Sequence, residues 1–236
     1  RPPRSTLFPY TTLFRSVIGK EKLGDAAMSD EEHSALINFI RGVDPTAGTA
    51  RKEMGDPIHS SPRLATYSCR TPNATDASKC DVEDQVAFIG TNEGYVQAID
   101  TRNGEEVFAF MPQELLGNIR HLRNNAKTSS GTRPKPYGMD NPLTIWVNDV
   151  NGDGKILASP TDTTGQAIPA SAGGGNEFIY AYATMGRGGR GLYALDVTNR
   201  AQPKLLWNII GGQTPGFERL GQTWLAPVKT RIRVGT

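Results

Sequence analysis

The strongest constraint on this chain is a set of short strands that recurs at a fixed distance. Gly90, Ala98 and Asp100 return as Gly186, Ala194 and Asp196, an offset of 96 at all three positions. Around the first set, Val86, Phe88 and Ile89 are strand formers and Asn92-Glu93-Gly94 is turn chemistry. Tyr95, Val96 and Ile99 then resume the strand pattern. Thr101-Arg102-Asn103-Gly104 turns the chain again, and Val107-Phe108-Ala109-Phe110 makes a third strand closed by Pro112. Around the second set, Thr184-Met185-Gly186 leads to Gly191-Leu192-Tyr193-Ala194-Leu195-Asp196, with Leu205, Leu206 and Trp207 as the closing strand. Each unit is an antiparallel meander that buries its apolar faces only against a neighbour, so the repeat predicts sheets stacked around an axis.

One further strand is expected ahead of each meander, over 59–65 and 140–146, and 223–228 has the look of a third unit opening. Pro62, Pro142 and Pro227 mark the three starts, where a strand loses no ladder donor to proline. The predicted fold is all-β: an incomplete β-propeller of antiparallel four-stranded blades, two blades and the start of a third, with a short N-terminal helix. The third unit breaks off near Thr236, so the sequence reads as a stretch of a longer chain with unpaired edges, prone to aggregate alone. With 26 glycines and 16 prolines in 236 residues, the composition suits a turn-rich β protein. No apolar run approaches the roughly 18 residues that a membrane-spanning helix needs.

Residues 1–16 stand apart. The run Tyr10-Thr11-Thr12-Leu13-Phe14-Arg15-Ser16 resembles one reading frame through a common short-read sequencing adapter, and the segment is set aside as non-native. It carries three arginines and no acids, so removing it takes the formal charge from +2 to −1. That leaves no electrostatic argument for a nucleic-acid partner. The rest divides into 17–55, a helix with a linker, and 56–236, the partial propeller. In the helix, Ser29 and Glu32 form a capping box, Leu36, Ile37, Phe39 and Ile40 make the apolar face, and Gly42 is the stop.

Candidate chemistry is sparse. His59 near Asp56 is the one acid–base set here, and a lone His beside a turn Asp is ordinarily a structural hydrogen bond. Cys69 and Cys80 flank a polar loop 11 residues apart, which suits a disulfide and an oxidising compartment; two free thiols are the alternative. The connector 115–126 holds His121, and Arg120, Arg123, Lys127, Arg133 and Lys135 in and after it read as solvated charge rather than an anion site. The sharpest signal is Asp149-Val150-Asn151-Gly152-Asp153-Gly154-Lys155. Side-chain oxygens at positions 1, 3 and 5, a glycine at 6 and a carbonyl at 7 match an EF-hand-like Ca²⁺ loop. The bidentate acid is missing, since position 12 is Pro160, and Asp162 is the candidate replacement. A metal-free Asx/Gly turn is the other reading. Gly186-Arg187-Gly188-Gly189-Arg190-Gly191 lies between two strands with no helix after it, so it is a turn rather than a phosphate loop. Gly173-Gly174-Gly175 reads as a flexible insertion.

Several of these runs together resemble one family. They are Phe39-Ile40-Arg41-Gly42, Met54-Gly55-Asp56-Pro57-Ile58-His59-Ser60-Ser61-Pro62, Gly90-Thr91-Asn92-Glu93-Gly94, the stretch from Gly186 to Thr198, and Leu220-Gly221-Gln222-Thr223-Trp224. The family is PilC/PilY, type IV pilus tip adhesins and assembly factors, in its C-terminal β-propeller, and the resemblance runs from about Val17 to Thr236. It implies a secreted or cell-surface protein, reached through the periplasm and outer membrane, that supports pilus extension and adhesion without an active site, often calcium-dependently. The implied partners are minor pilins and a host surface or carbohydrate. The family's best-described calcium loop would fall after Thr236, so the Asp149 loop rests on its own spacing. Two other classes share such blades: quinone-dependent dehydrogenases, whose metal-ligand set is not found here, and purely structural or carbohydrate-binding propellers.

Overall fold

Both expected meanders form, and each gains its fourth strand. The computed structural model describes residues 17–44, 47–51, 53–76, 78–124, 135–156, 166 and 177–230. Residues 1–16, Lys127, Arg133, Asp162 and Gly173-Gly174-Gly175 lie outside them. The first sheet runs β1 (Arg63–Pro72), β2 (Cys80–Gly90), β3 (Val96–Asp100) and β4 (Glu106–Phe110). The second runs β5 (Thr144–Asn148), β6 (Phe178–Thr184), β7 (Gly191–Asp196) and β8 (Lys204–Ile210). Strands pair in sequence order and antiparallel in both sheets, and neither sheet closes on itself. The repeat extends to an irregularity: the register shifts between Ala98 and Ile99 in one sheet and between Ala194 and Leu195 in the other.

Two boundaries differ from the sequence expectation. The first strands begin at Arg63 and Thr144: ahead of β1 Ser60 Oγ accepts from Gly90 N at 3.0 Å, and ahead of β5 Met139 N and Asp140 N donate to the Thr91 and Met185 carbonyls. The expected opening of a third unit over 223–228 carries no strand, since no neighbouring strand pairs with it. Its backbone bonds instead to the β6–β7 turn: Gly186 N donates to Thr223 O at 3.2 Å, and Thr223 N to Gly189 O at 3.3 Å.

The side-chain period of two gives each sheet two distinct faces. Val86, Phe88, Ala98 and Phe108 of the first sheet share one buried core with Ile179, Ala181, Tyr193 and Leu195 of the second, with Met139 and Leu143 between them. Phe110 meets Tyr193 edge-on across this junction, ring centroids 5.7 Å apart. A second, smaller core holds the helix Asp30–Ile40, where Leu36, Ile37, Phe39 and Ile40 pack with Leu116 and Ile119 of the connector. Ser29 caps this helix by accepting from Glu32 N at 3.2 Å, and Tyr95 donates to the Ile40 carbonyl at 2.9 Å, tying the helix to the first meander.

Candidate functional site

The loop singled out from sequence follows β5. Asp149 accepts from Gly152 N and Gly154 N, both at 2.8 Å, Asn151 accepts from Asp153 N at 3.0 Å, and Asp153 from Lys155 N at 2.7 Å. These Asx turns bend the chain, and Gly152 (φ 70°) and Gly154 (φ 71°) supply the left-handed residues that the bend requires. Asp149, Asn151 and Asp153 therefore sit on one tight, oxygen-rich turn. Each carboxylate oxygen retains a second lone pair, and hard oxygen donors are what Ca²⁺ takes. Yet no group of three or more His, Cys, Asp or Glu side chains among the described residues is placed to hold a metal. Two carboxylates, one amide and the Lys155 carbonyl fall short of six oxygens, and Asp162 lies outside the described residues.

Sequence reasoning missed how this loop is anchored. Glu177, 1% exposed, accepts from Val150 N at 3.2 Å. At the loop's far end Ile156 N donates to Tyr67 O of β1 at 3.0 Å. Tyr67 in turn donates its hydroxyl to Val197 O at 2.7 Å, and the Arg200 guanidinium lies 5.0 Å from its ring centroid. Burial pushes the Tyr67 hydroxyl well above its ordinary range. Arg200 forks onto both oxygens of Asp84, at 2.8 and 2.6 Å, while Arg70 pairs with the same carboxylate from β1. Burial works against the Asp84 charge, but the two guanidiniums hold its carboxyl below the usual range. Beside it Arg102 holds Asp100 down to about 2 through a paired hydrogen bond. The candidate loop is thus joined through one tyrosine to the charged seam between the sheets.

At the opposite end the sheets meet at a crossing. The segment Gly138-Met139-Asp140-Asn141 passes between the β2–β3 turn and the β6–β7 turn, with Met139 N on Thr91 O at 3.0 Å and Asp140 N on Met185 O at 3.2 Å. The glycines at this crossing have no space for a Cβ. A Cβ on Gly138 would lie 2.6 Å from Gly94 N, and Cβ atoms on Gly90 or Gly188 would collide with the carbonyls of Met139 and Gly138. His59 pairs here with the buried Asp140 at 2.8 Å, so its partner is not Asp56 as the sequence suggested. Asp56 is taken by Lys135 and Asn92. The basic connector disperses likewise, with Arg120 bound to Asp25 and Glu32. The glycine-rich run from Gly186 is a turn at this crossing. Cys69 and Cys80 are joined by a disulfide, Cα atoms 5.7 Å apart, across the β1–β2 hairpin.

No family model matches the chain. In sequence it is similar to the type IV pilus biogenesis factor PilY1 of Pseudomonas aeruginosa strain UCBPP-PA14, 27% identical over 220 residues, covering 88% of this chain and 16% of that protein. It is 26% identical over 235 residues to the PilY1 homologue of Xylella fastidiosa strain Temecula1, covering 92% and 17% respectively. The chain therefore spans about one sixth of these relatives' length. The crystal structure of the Pseudomonas aeruginosa PilY1 C-terminal domain overlaps 66% of this chain and 24% of that one, at 23% identity and a TM-score of 0.36.

Proposed function

We propose that the chain belongs to the PilC/PilY family and is part of a type IV pilus biogenesis factor, non-enzymatic and located at the cell surface. The observation that carries this is the similarity to PilY1 proteins along about nine-tenths of the chain. Gly90 and Gly188 lie in two of the runs that carry the resemblance, and at both a Cβ would collide with a backbone carbonyl. Minor pilins are the proposed partners, with adhesion to a host surface or carbohydrate as a second role. The disulfide suits assembly in an oxidising compartment. Deleting 56–236 from the protein in its host is expected to abolish surface pili while pilin is still made. Unchanged piliation would overturn the reading.

We propose a β-propeller as the architecture. In a two-fold sandwich, equivalent faces of the two sheets would meet. Here the offset of 96 maps Val86, Phe88 and Ala98 onto Tyr182, Thr184 and Ala194, whereas the first sheet packs on the opposite face, through Ile179, Ala181 and Tyr193. Head-to-tail stacking of this kind supports successive blades.

Calcium is the proposed ligand of the Asp149 loop, through Asp149, Asn151, Asp153 and the Lys155 carbonyl, with Asp162 and water completing the shell. With so few carboxylates the affinity should be on the order of 10⁻⁴ to 10⁻³ M, the range of extracellular modules. Occupancy would stiffen the loop against Tyr67 and so the seam behind it. Calorimetry should show weak Ca²⁺ binding that Asp153→Ala abolishes; binding unchanged in that variant would falsify the assignment.

A further inference from the structure

The β6–β7 turn carries two exposed arginines, Arg187 and Arg190. Arg51, Arg70, Arg102, Arg120 and Arg200 are each spent on a carboxylate, whereas among the described residues no carboxylate pairs with Arg187 or Arg190. The acids near this end are already taken, Asp56 by Lys135, Asp140 by His59 and Glu218 by the Gly216 N–H. The two arginines are nonetheless held in place. The Arg187 guanidinium lies 5.2 Å from the Tyr137 ring centroid, and its Nη1 donates to Tyr137 Oη at 3.1 Å. Arg190 lies along the turn after β8: its carbonyl accepts from Gly211 N at 2.9 Å, and a Cβ on Gly212 would stand 3.1 Å from its Nη2. The backbone beneath them is fixed by the crossing, where Gly188 has no room for a Cβ against Gly138 and Gly186 N is bonded to Thr223 O.

We infer that the Arg187–Arg190 turn is a docking surface for an acidic protein segment, a run of Asp and Glu side chains on a partner. The inference rests on the reading of the chain as a pilus biogenesis factor that works by binding other proteins. Charge complementarity carries it. Without residues 1–16 the chain has a formal charge of −1, so two guanidiniums with no acid between them make a local positive field on a near-neutral molecule. An exposed arginine ordinarily keeps its rotamer freedom, but these two have given it up against a ring and a backbone turn. A partner therefore meets donors already in position, which lowers the ordering cost of binding. The planar fork of each guanidinium suits a carboxylate, and arginine clusters are a recurring means of reading acidic motifs. The other anions fit less well. Gly186 N and Gly188 N are spent on the Thr223 and Met185 carbonyls, so those two N–H groups are not open to a phosphate. Tyr137, the ring on which a sugar would stack, is covered by Arg187.

Fluorescence anisotropy with a labelled decaglutamate peptide tests this on the protein as the cell makes it. Docking predicts binding that weakens as salt rises from about 20 to about 200 mM. Replacing both arginines, Arg187→Gln with Arg190→Gln, should weaken it about tenfold or more. Arg102→Gln should leave it unchanged, because that guanidinium is already spent on Asp100. No loss in the double variant, or an equal loss in the Arg102 variant, overturns the proposal. So does a double variant that loses heparin or phosphatidylglycerol vesicles and keeps the peptide, since the surface then belongs to an anionic polysaccharide or lipid. Deletion of 56–236 tests the pilus reading separately. Unchanged piliation there, combined with the peptide loss here, removes the pilus role and keeps the docking surface.

Discussion

The Phe108 and Trp207 sites compare two sheets with the same topology, the same bulge and opposite surroundings. One ring is sealed by a neighbouring sheet and the other is open, although local sequence gives both the same strand position. Burial here is decided by what stacks on a sheet, not by the sheet's own pattern. Hydrophobic stabilisation follows area removed from water, so the two rings should differ in worth despite their shared position.

The largest test of this contrast is truncation. Phe108→Ala should cost about 3–5 kcal/mol in denaturant unfolding of the 236-residue chain, and Trp207→Ala less than about 1 kcal/mol; equal losses would break the comparison. Next is the disulfide, which the first sheet has and the second lacks. Reduction should cost on the order of 2–3 kcal/mol for a loop of this length, with hydrogen exchange rising along β1 and β2 and not along β5 and β6. Uniform acceleration across both sheets would mean that the hairpin and the junction unfold together. Arg200→Met removes one of two guanidiniums from Asp84 and should cost about 1–2 kcal/mol, below the full value of a broken buried pair because Arg70 remains. The smallest effect is on pH. Asp84 and Asp100 titrate below their ordinary 3.8, Asp100 at about 2. Their contribution is therefore complete above that ordinary value and lost as pH falls through the folded one. Asp100→Asn should flatten the decline between those two values; an undiminished slope would assign it to other groups.

Much of the architecture was legible because its signals are local. The turn at Asn92-Glu93-Gly94, the alternation through Val96 and Ala98, and the Ser29–Glu32 cap all act within a few residues. The contacts that join the sheets are not local. Asp84 and Arg200 are 116 residues apart and Tyr67 and Val197 are 130, and no periodicity reports such a pair. The same distance hid His59's partner, Asp140, 81 residues on. The residues 223–228 carry strand-forming sequence without forming a strand for a related reason: a strand needs a neighbour, and Thr223 and Leu225 spend their carbonyls on Gly186 and Thr184. In the Asp149 loop the sequence spacing is legible and the turn it dictates is present, whereas the buried Glu177 anchor carried no mark in its surroundings.

The crossing at Gly138 has a mechanical side. Tension drawn along the chain between the two sheets enters the second sheet through the segment Gly138-Met139-Asp140-Asn141, which is hydrogen-bonded to a turn of each sheet. With backbone against backbone at Gly90, Gly94 and Gly188, the segment has no room to slip sideways. Such a load would meet a contact so close that even a methyl group in place of a glycine hydrogen would force the clasp apart.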